Sequence, residues 1–211
     1  MAKKRISDVL IEVLANAGIE RIYGITGDSL NSVNDSLRRN GKISFEHVRH
    51  EETAAFAAGA EASLTGKLTV CAGSSGPGNL HLINGLFDCH RNRVPVLAIA
   101  SHIPQSEVGL NYFQETHPEN LFKECSCFCE LVSNPKQMPE ILFRAMNAAV
   151  GNQDVAVIVL PGDVAVMEME IDELPVWHHP RLPHIIPQRE DIEEMVAHLE
   201  KGERITLFCG A

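Results

Sequence analysis

Apolar residues along most of this chain follow two alternating rhythms, a helical spacing of three to four and short unbroken runs. Val9, Leu10, Val13 and Leu14 share one helical face behind a cap at Ser7 or Asp8, and Gly18 ends that helix. A strand is predicted to start at 21–23, and Asp28 or Ser29 can cap a helix running to Gly41. Further strands are predicted at 44–48, 67–72, 95–101, 126–132 and 155–160, with helices at about 51–65, 79–92 and 138–152. Strands that read as continuous apolar runs, separated by helices, imply a parallel sheet covered on both faces. The expected fold is a doubly wound α/β domain of about six strands over residues 1–165, with right-handed crossovers.

After Asp163 the rhythm stops. Residues 170–187 hold four Pro, no helical period and the pair His178 and His179, so 166–187 reads as an extended linker with surface histidines. An amphipathic helical pattern returns at 188–199, a strand is expected at 204–208, and Cys209, Gly210 and Ala211 stand where a strand-to-helix turn would follow. A domain seldom ends on its first strand. Residues 188–211 are therefore expected to open a second domain of a longer protein.

Composition narrows the function classes. With 211 residues and 45% hydrophobic content, the chain can bury a substantial core. A net charge of -10 argues against nucleic acid or an anionic membrane surface as partner, since phosphate binding needs clustered Lys and Arg. Beyond Lys3, Lys4 and Arg5 there is no basic stripe, and Asp8 and Glu12 interrupt the apolar stretch that follows them. A cytoplasmic chain without a signal peptide or transmembrane helix is expected, with its six Cys as reduced thiols. Cys125, Cys127 and Cys129 alternate and would share a strand face, yet that spacing closes a zinc tetrahedron poorly, so buried apolar thiols are expected.

Four motifs each follow a predicted strand: GITGDSLN at 24–31, RHEE at 49–52, GSSGPGN at 73–79 and SHIPQ at 101–105. In a parallel sheet the carboxyl ends of the strands line one edge, where such folds bind ligands, so the motifs should converge. GSSGPG places three glycines within six residues, which lets backbone approach a ligand closely before a helix begins. It lacks the spacing of a dinucleotide fingerprint, and Gly66-Lys67 lacks the Ser or Thr of a P-loop. In RHEE, Glu51 lies above the small residues Ala54, Ala55, Ala58 and Gly59, and Glu52 above Ala55 and Phe56. Glu51 is thus the carboxylate expected to be buried, and burial moves a carboxylate toward the range useful for proton transfer. GDSL also makes Ser29 a candidate hydrolase nucleophile, but no Asp is followed three residues later by the His such an enzyme needs.

TGDSLN, RHEETAAFAAGAEA, GSSGPGNLHLINGLFDCHRNRVPVLAIASHIP and YFQETHPENLFKECS together resemble the amino-terminal, pyrimidine-binding domain of thiamine diphosphate enzymes. Within that superfamily the resemblance is nearest to pyruvate oxidase and flavin-dependent pyruvate dehydrogenase (quinone). It implies that Glu51 hydrogen-bonds N1′ of the cofactor's aminopyrimidine ring, which can then take the C2 proton of the thiazolium. Ser75, Gly76, Pro77, Gly78 and Asn79 match the loop against that ring. Phe113 and Gln114 match a pair near the substrate, and Gly27, Asp28 and Ser29 a loop bordering the active site. The implied substrate is pyruvate or a similar 2-oxo acid, with FAD accepting electrons and residues 188–211 opening the FAD-binding domain.

The family anchors the diphosphate through Mg2+ on a GDG segment followed by NN. Here Gly27-Asp28 continues with Ser29, Gly162-Asp163 with Val164, and no NN occurs. No metal ligand is therefore assigned in this chain, Mg2+ and FAD are expected from absent domains, and the chain alone should be an inactive half-site. The resemblance implies a homodimer or higher homo-oligomer. Ala54, Ala55, Ala58 and Gly59, with Leu82, Ile83, Leu86 and Phe87, are expected to form its contact face. An acetolactate synthase-type carboligase shares the same fold and the same Glu, and a noncatalytic dimerisation module is the alternative from another class.

Overall fold

The computed structural model describes residues 2–208 apart from Leu182 and His184, so the expected turn at Cys209, Gly210 and Ala211 lies outside the described residues. The chain divides into two compact units, one ending at Pro180 and one starting at Arg181. In the first, the order is β1 (Ala2–Arg5), α1 (Ile6–Asn16), β2 (Arg21–Gly24), α2 (Asn31–Asn40), β3 (Ser44–His47), α3 (Glu51–Thr65), β4 (Thr69–Gly73) and α4 (Pro77–Arg91). It continues with β5 (Val96–His102), α5 (Pro118–Leu121), β6 (Phe128–Leu131), α6 (Met138–Asn152), β7 (Val155–Pro161), α7 (Gly162–Val166) and β8 (Glu168–Ile171). The second unit contains α8 (Arg189–Leu199).

Six strands form one parallel sheet in the order β3-β2-β4-β5-β7-β6, with helices on both faces. This is the expected doubly wound fold. The chain leaves β2 toward β3 on one side and places β4 on the other, so the loops after β2 and β4 diverge at the carboxyl edge and open a crevice there. The central strands β4, β5 and β7 are buried throughout, as their unbroken apolar runs require.

One face of the sheet packs against α1, α2, α6 and α7 through Ile6, Leu10, Ile11, Leu14, Leu37, Leu142 and Met146. The other packs against α3 and α4 through Ala54, Ala55, Ala58, Ala62, Leu82, Leu86 and Cys89. Gly85 makes the α3–α4 approach possible. A Cβ there would stand 2.6 Å from Ala55 Cβ and 2.8 Å from the Glu52 carbonyl oxygen.

Several expectations need correction. The strip Ala54, Ala55 and Ala58 is fully buried against α4 and the sheet of its own chain, and Leu82 and Leu86 are fully buried with it, so this face is not an open contact surface. Only Ile83 and Phe87 of that set stay half-buried. Asp28–Leu30 forms a separate 3-10 turn, and α2 starts at Asn31. Helix α4 starts at Pro77, two residues before the predicted Asn79, because proline suits a first helical turn whose N–H needs no partner. β6 begins only at Phe128, so Cys125 and Cys127 precede it; Cys125 is buried, Cys127 exposed and Cys129 half-buried. Burial pushes the Cys125 thiol up to about 11 and that of Cys89 up to about 12, which keeps both protonated and apolar. Residues 204–208 form no strand, since the run has no ladder to join among the described residues.

Two strands were not predicted. β1 and β8 pair antiparallel, setting Lys3 opposite Glu170 and Arg5 opposite Glu168, while the alternate residues Met169 and Ile171 pack half-buried against the core. Beyond β8, Trp177 is 8% exposed and its Nε1 donates to Asn147 Oδ1 at 2.9 Å, which ties this stretch to α6; His178 and His179 are exposed. Among the described residues no helix is long and apolar enough to cross a membrane.

Candidate active site

The carboxyl edge of the sheet gathers the motifs. After β2, Gly27 packs against Ser74, and Ser29 Oγ accepts the backbone N–H of Ser75 at 2.9 Å, so the loops after β2 and β4 are joined directly. Ser101 Oγ donates to the Ser29 carbonyl at 2.6 Å, and Asn79 Nδ2 donates to the Ser101 carbonyl at 2.8 Å. These bonds occupy Ser29 structurally, and among the described residues no histidine hydrogen-bonds its hydroxyl. Asp28 is exposed beside them. Asn79 is fully buried, and its Oδ1 has no protein partner.

Gly76 adopts φ 66°, a left-handed conformation that glycine reaches at no steric cost, and it lies on the backbone of Gln114. A Cβ on Gly76 would meet the Gln114 carbonyl oxygen at 2.8 Å. Gln114 itself has φ 63°, and its Oε1 accepts from Ser75 Oγ at 3.4 Å. The Glu115 carboxylate folds this loop by accepting the backbone N–H groups of Gly109 and Tyr112, bonds that hold its carboxyl below the usual range. Phe113 projects from the loop and is 78% exposed at the rim.

Glu51 and Glu52 occupy the first turn of α3, where the helix dipole favours negative charge. Glu51 is the buried one, at 8% exposure, as its position above the alanine strip predicts. Its Oε2 lies 3.2 Å from His81 Nδ1, and its Oε1 faces Gly78, where a Cβ would come within 3.4 Å. Glu52 points to Asn84, which donates to its carboxylate. Contacts thus link Gly27, Ser29, Glu51, Ser75, Gly76, Gly78, Asn79 and Gln114 into one cluster that includes Pro77, with the exposed Asp28 and Phe113 next to it in sequence.

Three neighbours were missed by the motif reading. His50 and His81 stack with ring centroids 4.3 Å apart and planes 26° from parallel, beside Glu51. His81 was readable: it stands three residues after Gly78, hence on the same side of α4. Asp163 accepts the Gln105 backbone N–H at 3.1 Å and ties the SHIPQ segment to the start of α7. His50, Glu51 and His81 bring potential ligand atoms within 4.8 Å of one another. Rings stacked face to face, with planes 26° from parallel, are poorly placed to aim two in-plane lone pairs at one ion. The cluster also holds a buried carboxylate whose Oε1, with no hydrogen bond from a described residue, lies against the backbone of Gly78.

Residues 4–121 match the family described as thiamine pyrophosphate enzyme, N-terminal TPP binding domain. The chain is 57% identical over its whole length to an uncharacterized 42.6 kDa protein in the isoamylase 3′ region of Pseudomonas amyloderamosa, of which it covers 53%. It is 32% identical to the pyruvate oxidase of Lactiplantibacillus plantarum over 95% of the chain and 34% of that protein. To the acetolactate synthase of Arthrospira platensis it is 35% identical over 83% of the chain and 31% of that enzyme. The chain therefore spans about half or less of the length of these relatives.

Proposed function

Because the chain belongs to the thiamine pyrophosphate enzymes, as their N-terminal TPP-binding domain, we propose that it holds the aminopyrimidine end of thiamine diphosphate in a cytoplasmic enzyme that oxidatively decarboxylates pyruvate. The observation that carries this reading is the placement of Glu51, buried with Oε1 free beside the glycine loop. The residues fit such a ring. Gly76 and Gly78 let the loop backbone pack where a Cβ would strike Gln114 and Ser74, which brings Gly78 beside Glu51 Oε1, and the adjacent Asn79 Oδ1 is a buried acceptor without a partner among the described residues. When bound, the cofactor supplies an electron sink for the carbanion left by decarboxylation.

Glu51 accepts and shares a proton with the ring nitrogen N1′, while Ser75, Pro77 and their neighbours fix the cradle. Phe113 and Gln114 face the substrate side, and Gly27, Asp28 and Ser29 form the border. Mg2+ is assigned to segments outside these 211 residues, because no GDG and NN pair occurs in them, and FAD to the domain that the family resemblance places after residue 188. A second subunit completes the cofactor site, which makes the working enzyme a homodimer or larger homo-oligomer.

The likeness to a pyruvate oxidase over 95% of the chain, together with the FQET and HRNRVPVLAIASHIP segments, favours oxidation. Carboligation is the second reading, supported by the likeness to an acetolactate synthase. The test is anaerobic addition of pyruvate to the full-length protein with thiamine diphosphate, Mg2+ and FAD. Oxidation predicts carbon dioxide release with bleaching of the flavin. Acetolactate formed without net flavin reduction establishes the carboligase, and cofactor-independent dimerisation without turnover establishes a noncatalytic module.

A further inference from the structure

Beside Glu51 stands a pair of histidines whose chemistry the reading above does not use. The two carboxylate oxygens of Glu51 have different neighbours. Oε2 meets His81 Nδ1 at 3.2 Å, and Oε1 lies along Gly78. An ionised carboxylate only accepts hydrogen bonds, so a neutral ring making this contact carries its proton on Nδ1, the less favoured tautomer of free imidazole. No hydrogen bond from a described residue reaches the remaining ring nitrogen, Nε2.

His81 does not hold this position by itself. Its ring lies on His50, whose own Nδ1 accepts the Glu52 backbone N–H as the cap of α3. His50 therefore belongs to the start of the helix that carries Glu51, while His81 belongs to α4. An ion pair between freely moving surface groups would contribute little. Here the Glu51 side chain is 11% exposed, and the stack limits the ring on the other side.

We propose that His81 is a positioning residue. Its Nδ1–H holds Oε2 and thereby turns Oε1 toward the ring nitrogen of an aminopyrimidine, and the stacked His50 keeps the His81 ring in the required orientation. The proposal rests on the reading that Glu51 meets that ring.

Two measurements test it. Nitrogen NMR of the histidine rings in this chain, at about pH 8 where an ordinary imidazole is neutral, should show His81 as the Nδ1–H tautomer. Glu51→Ala should return it to Nε2–H. Calorimetric titration of the full-length protein with thiamine diphosphate and Mg2+ then reads the consequence for binding. His81→Leu should weaken affinity about tenfold, the low end for losing a group that orients a ligand-binding residue. His81→Asn, whose amide nitrogen occupies the place of Nδ1, should restore most of that loss, and His81→Gln, which reaches only the place of Nε2, should not. All three changes are at a side chain 47% exposed, so the core is left intact.

A wild-type His81 in the Nε2–H tautomer overturns the proposal. So does a His81→Leu protein that binds the cofactor as wild type does while Glu51→Ala binds it more weakly, in which case the role of Glu51 still stands. If Glu51→Ala leaves affinity unchanged, the role of Glu51 itself fails and the proposal falls with it.

Discussion

The two faces of the sheet are built from different materials. Under α1, α2 and α6 the core is made of Ile, Leu, Val and Met; under α3 and α4 it is largely Ala, Cys and Gly at the contact. Large side chains bury much apolar area and hold layers at ordinary separation, whereas small ones let helix backbones come close. Ala55 against Gly85, and Gly59 against Cys89, press α3 onto α4. The first turn of α3 thereby reaches the glycine loop at the start of α4, and Glu51 meets Gly78. One face contributes stability, and the other fixes where a carboxylate stands.

Substitutions on the two faces should therefore separate loss of stability from loss of placement. The largest effect is expected for Ala58→Glu, which buries an unpaired charge in the α3–α4 seam at a fully buried position. It should cost several kcal/mol, and urea titration should show no cooperative native transition. On the opposite face, Leu10→Ala empties a fully buried site and should cost about 2–5 kcal/mol. Affinity of the folded full-length protein for thiamine diphosphate should stay within about threefold of wild type, a change below 1 kcal/mol.

Gly85→Ala should cost less stability, about 1–3 kcal/mol, yet weaken cofactor affinity more, because the new methyl group must push α3 away from α4. Calorimetric titration of both variants decides the matter, and equal affinity losses would remove the distinction between the faces. The smallest effect concerns His102, buried at the end of β5 with Nδ1 unpartnered. Burial pulls its pKa down, against the opposing pull of Glu119 and Glu115. The unfolded chain then binds the extra proton more readily, so stability is complete above the ordinary value of about 6.5 and falls as pH drops below it, by at most about 1.4 kcal/mol per unit. Unfolding titrations at about pH 7.5 and 5.5, either side of that value, should show a shallower decline for His102→Gln than for wild type.

Period and punctuation were enough to read the helices that the sequence itself delimits. Residues 51–65 and 138–152 were predicted with the ends that α3 and α6 have, since Gly66 closes the first in a left-handed cap and Pro139 opens the second. β1 and β8 escaped because each is only four residues long and pairs with a partner more than 160 residues away. The burial of Glu51 rather than Glu52 followed from the alanine strip, but the strip's partner did not. Small residues announce a close approach without saying to what. Gly85, whose Cβ would strike the α3 backbone, was the missing half of that signal. The histidine pair was unreadable as a pair because His50 and His81 are adjacent only through this same seam.

Hydrogen–deuterium exchange at C2 of thiamine diphosphate bound to the full-length protein tests most directly whether Glu51 is the carboxylate that works on the cofactor. Glu51→Gln keeps the size of the side chain but cannot accept and share the proton, so exchange should slow by at least about a hundredfold, while Glu52→Gln should change it little. Equal slowing by the two substitutions, or a larger effect from Glu52→Gln, would contradict the account.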